Sequence, residues 1–239
     1  MRVRVLGEVR AEPGDAGLAR QERLDEAVAV DGMPALLAWR SLPALVVAGR
    51  DRELPNFVEA QIALAREGWP VLVRRSGGGA CPVGVGTLQL ALAKPAADNC
   101  TIDRAYREMA GIVTALLSAC ALRASVQRIE AAFCPGRYDI AVKGRKIAGL
   151  CQHWRQCKGV MVVTTAASIV VDEDPRSLCA AVNRFYRLAR GTGRCAAEAV
   201  TSICLAQADR RASRETLIDS LLDRLPAVVS STSQDDSRR

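Results

Sequence analysis

An α/β fold is predicted, with a mixed β-sheet packed against helices, and three observations predict it. Short runs rich in branched residues, such as Pro70 to Arg75 and Val160 to Val171, have the length and composition of strands. They alternate along the chain with stretches of helical apolar spacing, clearest from Thr101 to Leu122. With 49% hydrophobic and 25% charged residues over 239 positions, the chain can bury a substantial core.

Met1 to Leu6 alternates like a strand, and a loop follows from Pro13 to Gly17. Leu24, Ala27, Val28 and Ala29 among acids give residues 21 to 32 a helical spacing. Pro34 to Trp39 and Ala44 to Ala48 read as two strands split by Ser41-Leu42-Pro43. Residues 56 to 67 form an amphipathic helix ended by Gly68, and the strand at Pro70 runs into glycines. Ala80 to Leu92 reads as a hairpin turning at Gly84-Val85-Gly86. Thr101 and Asp103 suit the start of the long helix, whose stripe from Ile102 to Cys120 is core packing.

Tyr138 to Val142 and Ile147 to Trp154 are strands joined by a turn at Lys143-Gly144. Gln156 to Gly159 is another turn. The apolar run from Val160 to Val171 is too short for a membrane span. Residues 172 to 190 are a helix entered through Glu173 and Asp174, Arg190 to Arg194 a loop, and Arg214 to Leu225 a final helix. No repeat or composition break divides the chain, so residues 1–229 read as a single domain. The polar tail from Ser230 to Arg239 reads as disordered.

Lysine and arginine number 33 against 26 acids, a net charge of +7. Aromatics are only 4%, the basic residues are spread out, and no nucleic-acid-binding signature is present, so an acidic protein partner accounts for the charge better than nucleic acid. The nine cysteines are odd in number and irregular in spacing, and no signal peptide or membrane-length apolar run is present. A reducing cytoplasm is expected, with most thiols acting as small buried hydrophobes.

Cys134 stands apart. It precedes Pro135-Gly136, and Lys146 follows 12 positions later, just past the Lys143-Gly144 bend. A lysine near a thiol favours the thiolate, the form that attacks acyl carbonyls. Upstream, Arg74-Arg75-Ser76-Gly77-Gly78-Gly79-Ala80 joins three glycines to a basic strand end, where backbone amides can hold a carbonyl, carboxylate or phosphate. No Gly-Lys-Ser/Thr follows, so it is not a Walker loop; a plain bulge or tight turn is the simpler alternative. Cys151, His153 and Cys157 offer too few ligands for a structural zinc site. Cys151 and His153 would share one strand face, but packing is the commoner role of such residues.

These pieces, together with Thr101-Ile102-Asp103-Arg104-Ala105-Tyr106, stand in the order seen in the lipoate/biotin protein ligase superfamily, which the chain resembles over roughly residues 20 to 220. Phe133-Cys134-Pro135-Gly136-Arg137-Tyr138-Asp139 and Gly144 to Gly149 are most similar to the octanoyl-group amidotransferases. The resemblance implies the ligase catalytic-domain fold and an acyl transfer within protein lipoylation. It implies Cys134 as nucleophile and Lys146 as the lysine at the acyl carbonyl. Arg75, Ser76, Gly77, Gly78 and Gly79 would line the acyl tunnel, and Tyr138, Asp139 and Gly149 would join them in binding substrate.

No cofactor is implied. Expected partners are lipoyl-domain proteins, namely the glycine-cleavage H protein and E2 subunits of 2-oxoacid dehydrogenases, with acyl carrier protein as a further donor; no nucleic acid or membrane is expected. An ATP- and Mg-dependent lipoate ligase is the alternative, as is a non-catalytic acyl-binding homologue. After the final helix too little chain follows for the accessory domain of two-domain ligases. Cys81-Pro82-Val83 stands where many of the superfamily have a histidine, and Gln89 where an asparagine is usual.

Overall fold

Strand β1 (Arg4–Glu12) leads through Pro13 directly into helix α1 (Gly14–Asp31). The segment Pro13 to Gly17, expected as a loop, is therefore the first turn of a helix, and its glycines serve packing. A Cβ on Gly14 would lie 2.8 Å from Leu72 Cδ1, and one on Gly17 would lie 2.1 Å from the Trp39 ring. The computed structural model describes residues 3–97, 99–207 and 213–235; Met1 and Arg2 of the expected first strand lie outside them.

The chain continues through β2 (Ala35–Ser41), β3 (Ala44–Ala48), α2 (Phe57–Arg66), β4 (Val71–Arg74), β5 (Cys81–Val83), β6 (Thr87–Pro95) and α3 (Ile102–Ala119). Then come β7 (Ala124–Val126), β8 (Ile140–Val142), β9 (Arg145–Cys157), β10 (Val160–Val170), α4 (Pro175–Leu188), α5 (Ile203–Ala206) and α6 (Arg214–Asp235). The strands build a seven-stranded mixed sheet in the order β1-β2-β6-β10-β9-β8-β7 and a three-stranded sheet in the order β4-β3-β5. Only β1 with β2 and β3 with β4 run parallel among these pairs.

Strand period sorts the two faces of the large sheet. Leu36, Leu88 and Leu90 face Met109, Leu116, Leu221 and Leu225 of α3 and α6 in the main core. Trp39, Leu37, Ala91 and Val162 face the other way, onto Leu24 and Val28 of α1. The small sheet packs Leu45 and Val47 against Phe57, Leu64 and Phe185 of α2 and α4. The space between α1 and the two sheets is where the cavity forms. Among the described residues no helix is long and apolar enough to cross a membrane.

Three further expectations need correcting. Residues 80 to 92 do not form a hairpin, because β5 belongs to the small sheet and β6 to the large one. The Gly84-Val85-Gly86 link is instead pinned across the fold: Gly86 N–H donates to Glu173 Oε1 at 2.8 Å, and a Cβ there would meet Asp172 O at 2.0 Å. Strand β7 was not anticipated, being short and mostly exposed. The last helix runs to Asp235 rather than Leu225. Val229 is buried in the core, and the Ser230, Ser231 and Thr232 hydroxyls donate to carbonyls of Pro226 and Val228, so a polar segment stays helical. Of the expected disordered tail, residues 236–239 lie outside the described residues.

The Lys143-Gly144 turn forms as expected, with both φ values positive (50° and 73°), as a two-residue hairpin of this twist requires. Beyond it lies a bulge. Ala141 pairs with Lys146 but Ile140 pairs with Ala148, so β9 carries one extra residue, Ile147. Ile147 and Ala148 both enter the main core, while Lys146 and Gly149 line the opposite face.

Replacing Gly17 by valine drives a side chain into the Trp39 ring and should lower unfolding free energy by about 1–3 kcal/mol. Gly7→Ala, where nothing stands within 4 Å, should change it by less than about 0.5 kcal/mol. Chemical denaturation of the two variants checks the difference.

Candidate active site

The site grows from a buried ion pair. Lys146 and Asp139 have side chains only 1% exposed, and Lys146 Nζ lies 2.8 Å from Asp139 Oδ1. Burying two charges is tolerable only if both are paired and hydrogen-bonded. Nζ also donates to Phe133 O at 2.9 Å and Cys134 O at 2.8 Å, so the ammonium is met by one carboxylate and two carbonyls. The other carboxylate oxygen, Asp139 Oδ2, accepts from Gly136 N–H at 3.0 Å and Ile129 N–H at 3.4 Å. Gly149 leaves the space the lysine fills, since a Cβ there would stand 3.0 Å from both Cε and Nζ.

This pair folds residues 129–139 into a loop and holds Cys134 at its crest. Cys134 has φ = 44°, a left-handed conformation that costs a non-glycine residue roughly 1–2 kcal/mol, sustained by the carbonyl contacts on either side. Its sulfur points to the glycine loop. Gly79 N–H lies 3.1 Å from Sγ, and an Arg74 guanidinium nitrogen lies 3.8 Å away. Gly78, at φ = 107°, is obligatory: a Cβ would stand 2.8 Å from Cys134 Sγ and 2.9 Å from Arg74.

Arg74 is the organising cation of that loop. Its guanidinium donates to Val46 O, Gly77 O and Gly79 O at 2.7–2.9 Å. Burial opposes its charge, but Cys151, Cys134, Cys81 and Asp51 outweigh burial and raise its pKa. Burial in turn pushes the Cys81 thiol up to about 11, with Cys134 as the next contributor. Tyr186 completes the support by accepting from Ala80 N–H at 2.9 Å. Burial raises its hydroxyl to about 12, so the phenol stays protonated.

A cavity of about 90 Å³ opens beside the sulfur, between α1, the large sheet and the small sheet. Leu18, Trp39, Val46 and Val83 give it an apolar wall. Cys134, Lys146 and Arg74 border it, as do Arg75, Ser76 and Gly149.

Most residues singled out in the sequence converge here, in altered roles. Cys134, Lys146, Gly78, Gly79 and Gly149 meet directly. Lys146 touches the backbone carbonyl of Cys134, while the sulfur is served by Gly79 and Arg74. Asp139 is a partner of Lys146 in the loop, not a lining residue of the cavity. Arg75 points outward to Glu22, at 2.8 and 3.1 Å, and borders the cavity from its rim. Gly77 contributes its carbonyl to Arg74. Tyr138 is not brought to the cavity: it stacks on Tyr106 with ring centroids 4.7 Å apart and donates to Asp103 at 2.6 Å. Tyr186 was missed as a site residue, and Arg74, expected with Arg75 to hold a ligand at the glycine loop, instead ties the loop together. Strand alternation alone signals that only one of Arg74 and Arg75 turns inward, whereas Tyr186 lies 106 positions from its partner and gave no signal. Cys151 and His153 do line the cavity from one face of β9, Cys157 is buried further along that face against α1, and no metal-binding cluster exists among the described residues.

Comparison with known proteins fits this arrangement. Residues 14–225 match the model of the lipoyl protein ligase A/B catalytic domain. An octanoyl-[GcvH]:protein N-octanoyltransferase of Kyrpidia tusciae is 32% identical over 205 residues, which are 82% of this chain and 71% of that protein. A lipoyl-[GcvH]:protein N-lipoyltransferase of Listeria monocytogenes is 31% identical over 140 residues, 58% of this chain and 49% of that one, so the chain spans about half its length. A bi-partite lipoate protein ligase from Thermoplasma acidophilum superposes with a TM-score of 0.66 at 20% identity, covering 98% of this chain and 84% of that one, a likeness of fold. With the family model matched from the start of α1 into α6, the chain belongs to the lipoyl protein ligase A/B catalytic domain family.

Proposed function

We propose that this chain is an acyltransferase of protein lipoylation, carrying an octanoyl or lipoyl group as a thioester on Cys134 and passing it to the lysine of a lipoyl domain. The observation that carries this reading is the setting of the sulfur. A backbone N–H at 3.1 Å and a guanidinium at 3.8 Å meet the sulfur, and an apolar-walled cavity adjoins it. The relatives with similar sequence are named as octanoyl and lipoyl transferases acting with GcvH.

The chemistry runs in two halves. Cys134 thiolate attacks the donor acyl carbonyl, the bond to the donor amine or carrier thiol breaks, and the acyl group rests as a thioester. The acceptor lysine then attacks that thioester and releases Cys134. Arg74 and the Gly79 N–H stabilise the negative charge of the sulfur while it is the attacking thiolate. Lys146 acts through position: it fixes both carbonyls flanking the nucleophile. The net charge of +7 steers an acidic carrier domain toward the site, and the glycine-cleavage H protein, E2 lipoyl domains and acyl carrier protein are the partners this reading takes.

Incubation with octanoyl H protein or octanoyl acyl carrier protein should add one octanoyl group to the intact mass, labile to hydroxylamine and absent in Cys134→Ser. Lipoylation only with free lipoate and ATP, and no acyl-enzyme, would refute the reading. Lys146→Met should abolish transfer and also cost about 3–5 kcal/mol of stability, because Asp139 is left buried and unpaired; Arg74→Lys, keeping charge but losing the fork, should reduce acylation with a smaller loss of stability. Thermal melts beside mass spectrometry separate these effects. Iodoacetamide at pH 8 should label Cys134 ahead of Cys81, whose raised pKa keeps it a thiol until the pH nears 11; peptide mapping reads the order.

A further inference from the structure

Aminolysis of the thioester needs a free amine, so the acceptor lysine must first give up a proton. The cations beside Cys134 cannot take it. Lys146 Nζ is held by hydrogen bonds to Phe133 O and Cys134 O and by its ion pair with Asp139. Arg74 is bound to three carbonyls, and Arg75 is paired in two contacts with Glu22. Cys81 is held protonated by burial.

His153, the chain's one histidine, lines the same cavity and is held in a manner that suits a base. It projects from β9 opposite Thr164 of β10. Asp25 reaches it from α1: Asp25 Oδ2 lies 2.8 Å from His153 Nε2, and Oδ1 accepts from Thr164 Oγ1 at 2.5 Å. Asp25 is wholly buried, while the His153 side chain is 12% exposed. A carboxylate only accepts, so in the neutral imidazole Nε2 carries the hydrogen that faces Asp25 and Nδ1 has the lone pair. Glu22 and Arg75, about half exposed, form the outer rim, and His153 sits just inside it.

We propose that His153, oriented by Asp25, is the base that receives the acceptor lysine's first proton; this rests on the thioester reading above. One N–H bond of the ammonium breaks and its proton passes to Nδ1. The amine attacks the carbonyl, the C–S bond breaks, and the remaining surplus proton of the nitrogen goes to the departing Cys134 sulfur. The imidazolium returns its proton to solvent at the rim. The groups facing the imidazole are Asp25 and Glu22 of α1, Cys151 on its own strand, Thr164 of β10, and Arg75 on the glycine loop, with Arg155 behind Glu22.

The experiment separates the two halves. p-Nitrophenyl octanoate, whose leaving group needs no protonation, loads Cys134, and an apo H protein then receives the acyl group, each step followed by intact mass in single turnover. For His153→Gln, loading should stay within about twofold of wild type while transfer falls by at least about 100-fold. The rise of wild-type transfer rate with pH should move to higher pH in the variant, since the base must be unprotonated to act. Added imidazole should restore transfer to His153→Ala, and Asp25→Asn should lower transfer less than His153→Gln. Transfer at the wild-type rate in His153→Gln, or loading and transfer falling by one common factor without imidazole rescue, would overturn the role of His153 while leaving the thioester standing. Failure of wild type to load at all would overturn both.

Discussion

The site depends on one contact, the buried pair between Lys146 and Asp139. An ammonium in the interior must find three acceptors, and it takes two of them from the main chain on either side of the nucleophile. The carboxylate, equally in need of donors, collects two backbone N–H groups from the same loop. Two desolvated charges thereby dictate the path of residues 129–139. The left-handed backbone at Cys134 is tolerated because so many bonds converge on it. What resembles a catalytic dyad in the sequence is, in space, a charged hub that carries a nucleophile on its outside.

A second constraint is proximity. α1, the glycine loop and β9 all approach closely, and each approach is made possible by a missing side chain: Gly14 and Gly17 under α1, Gly78 beside the sulfur, Gly149 beneath the lysine. The cavity is what remains between elements packed as tightly as their backbones allow. Its wall is mixed, apolar along Trp39 and Val83 and polar toward His153 and Glu22. That gradient suits an acyl chain entering beside a charged arm.

Much of this was legible in the sequence where the signal is local. The long helices announce themselves by their period, and Cys134 and Lys146 lie close enough in sequence for one hairpin to unite them. The Pro13 to Gly17 segment misled because glycines that serve helix packing look identical to glycines that serve a loop. β5 and β6 misled because pairing across the three-residue link Gly84-Val85-Gly86 is the simplest reading, whereas their backbone partners lie in different sheets. Asp25 and His153 are 128 positions apart, and no spacing rule connects them. The polar end of α6 stays helical through hydroxyls bonded to its own carbonyls and through Val229, features that composition does not encode.

The extra residue in β9 has a consequence of its own. Because Ile147 is bulged, Lys146 and Gly149 share the cavity face, and the strand then carries Cys151 and His153 on that same face by simple alternation. Orientation at this site is thus stored as a residue count, independent of which apolar side chain occupies the bulge. Another branched side chain at this position would leave that arrangement in place, whereas a change in the number of positions between Lys146 and His153 would not. Insertions and deletions, rather than substitutions, are the changes that divergence along this hairpin must avoid.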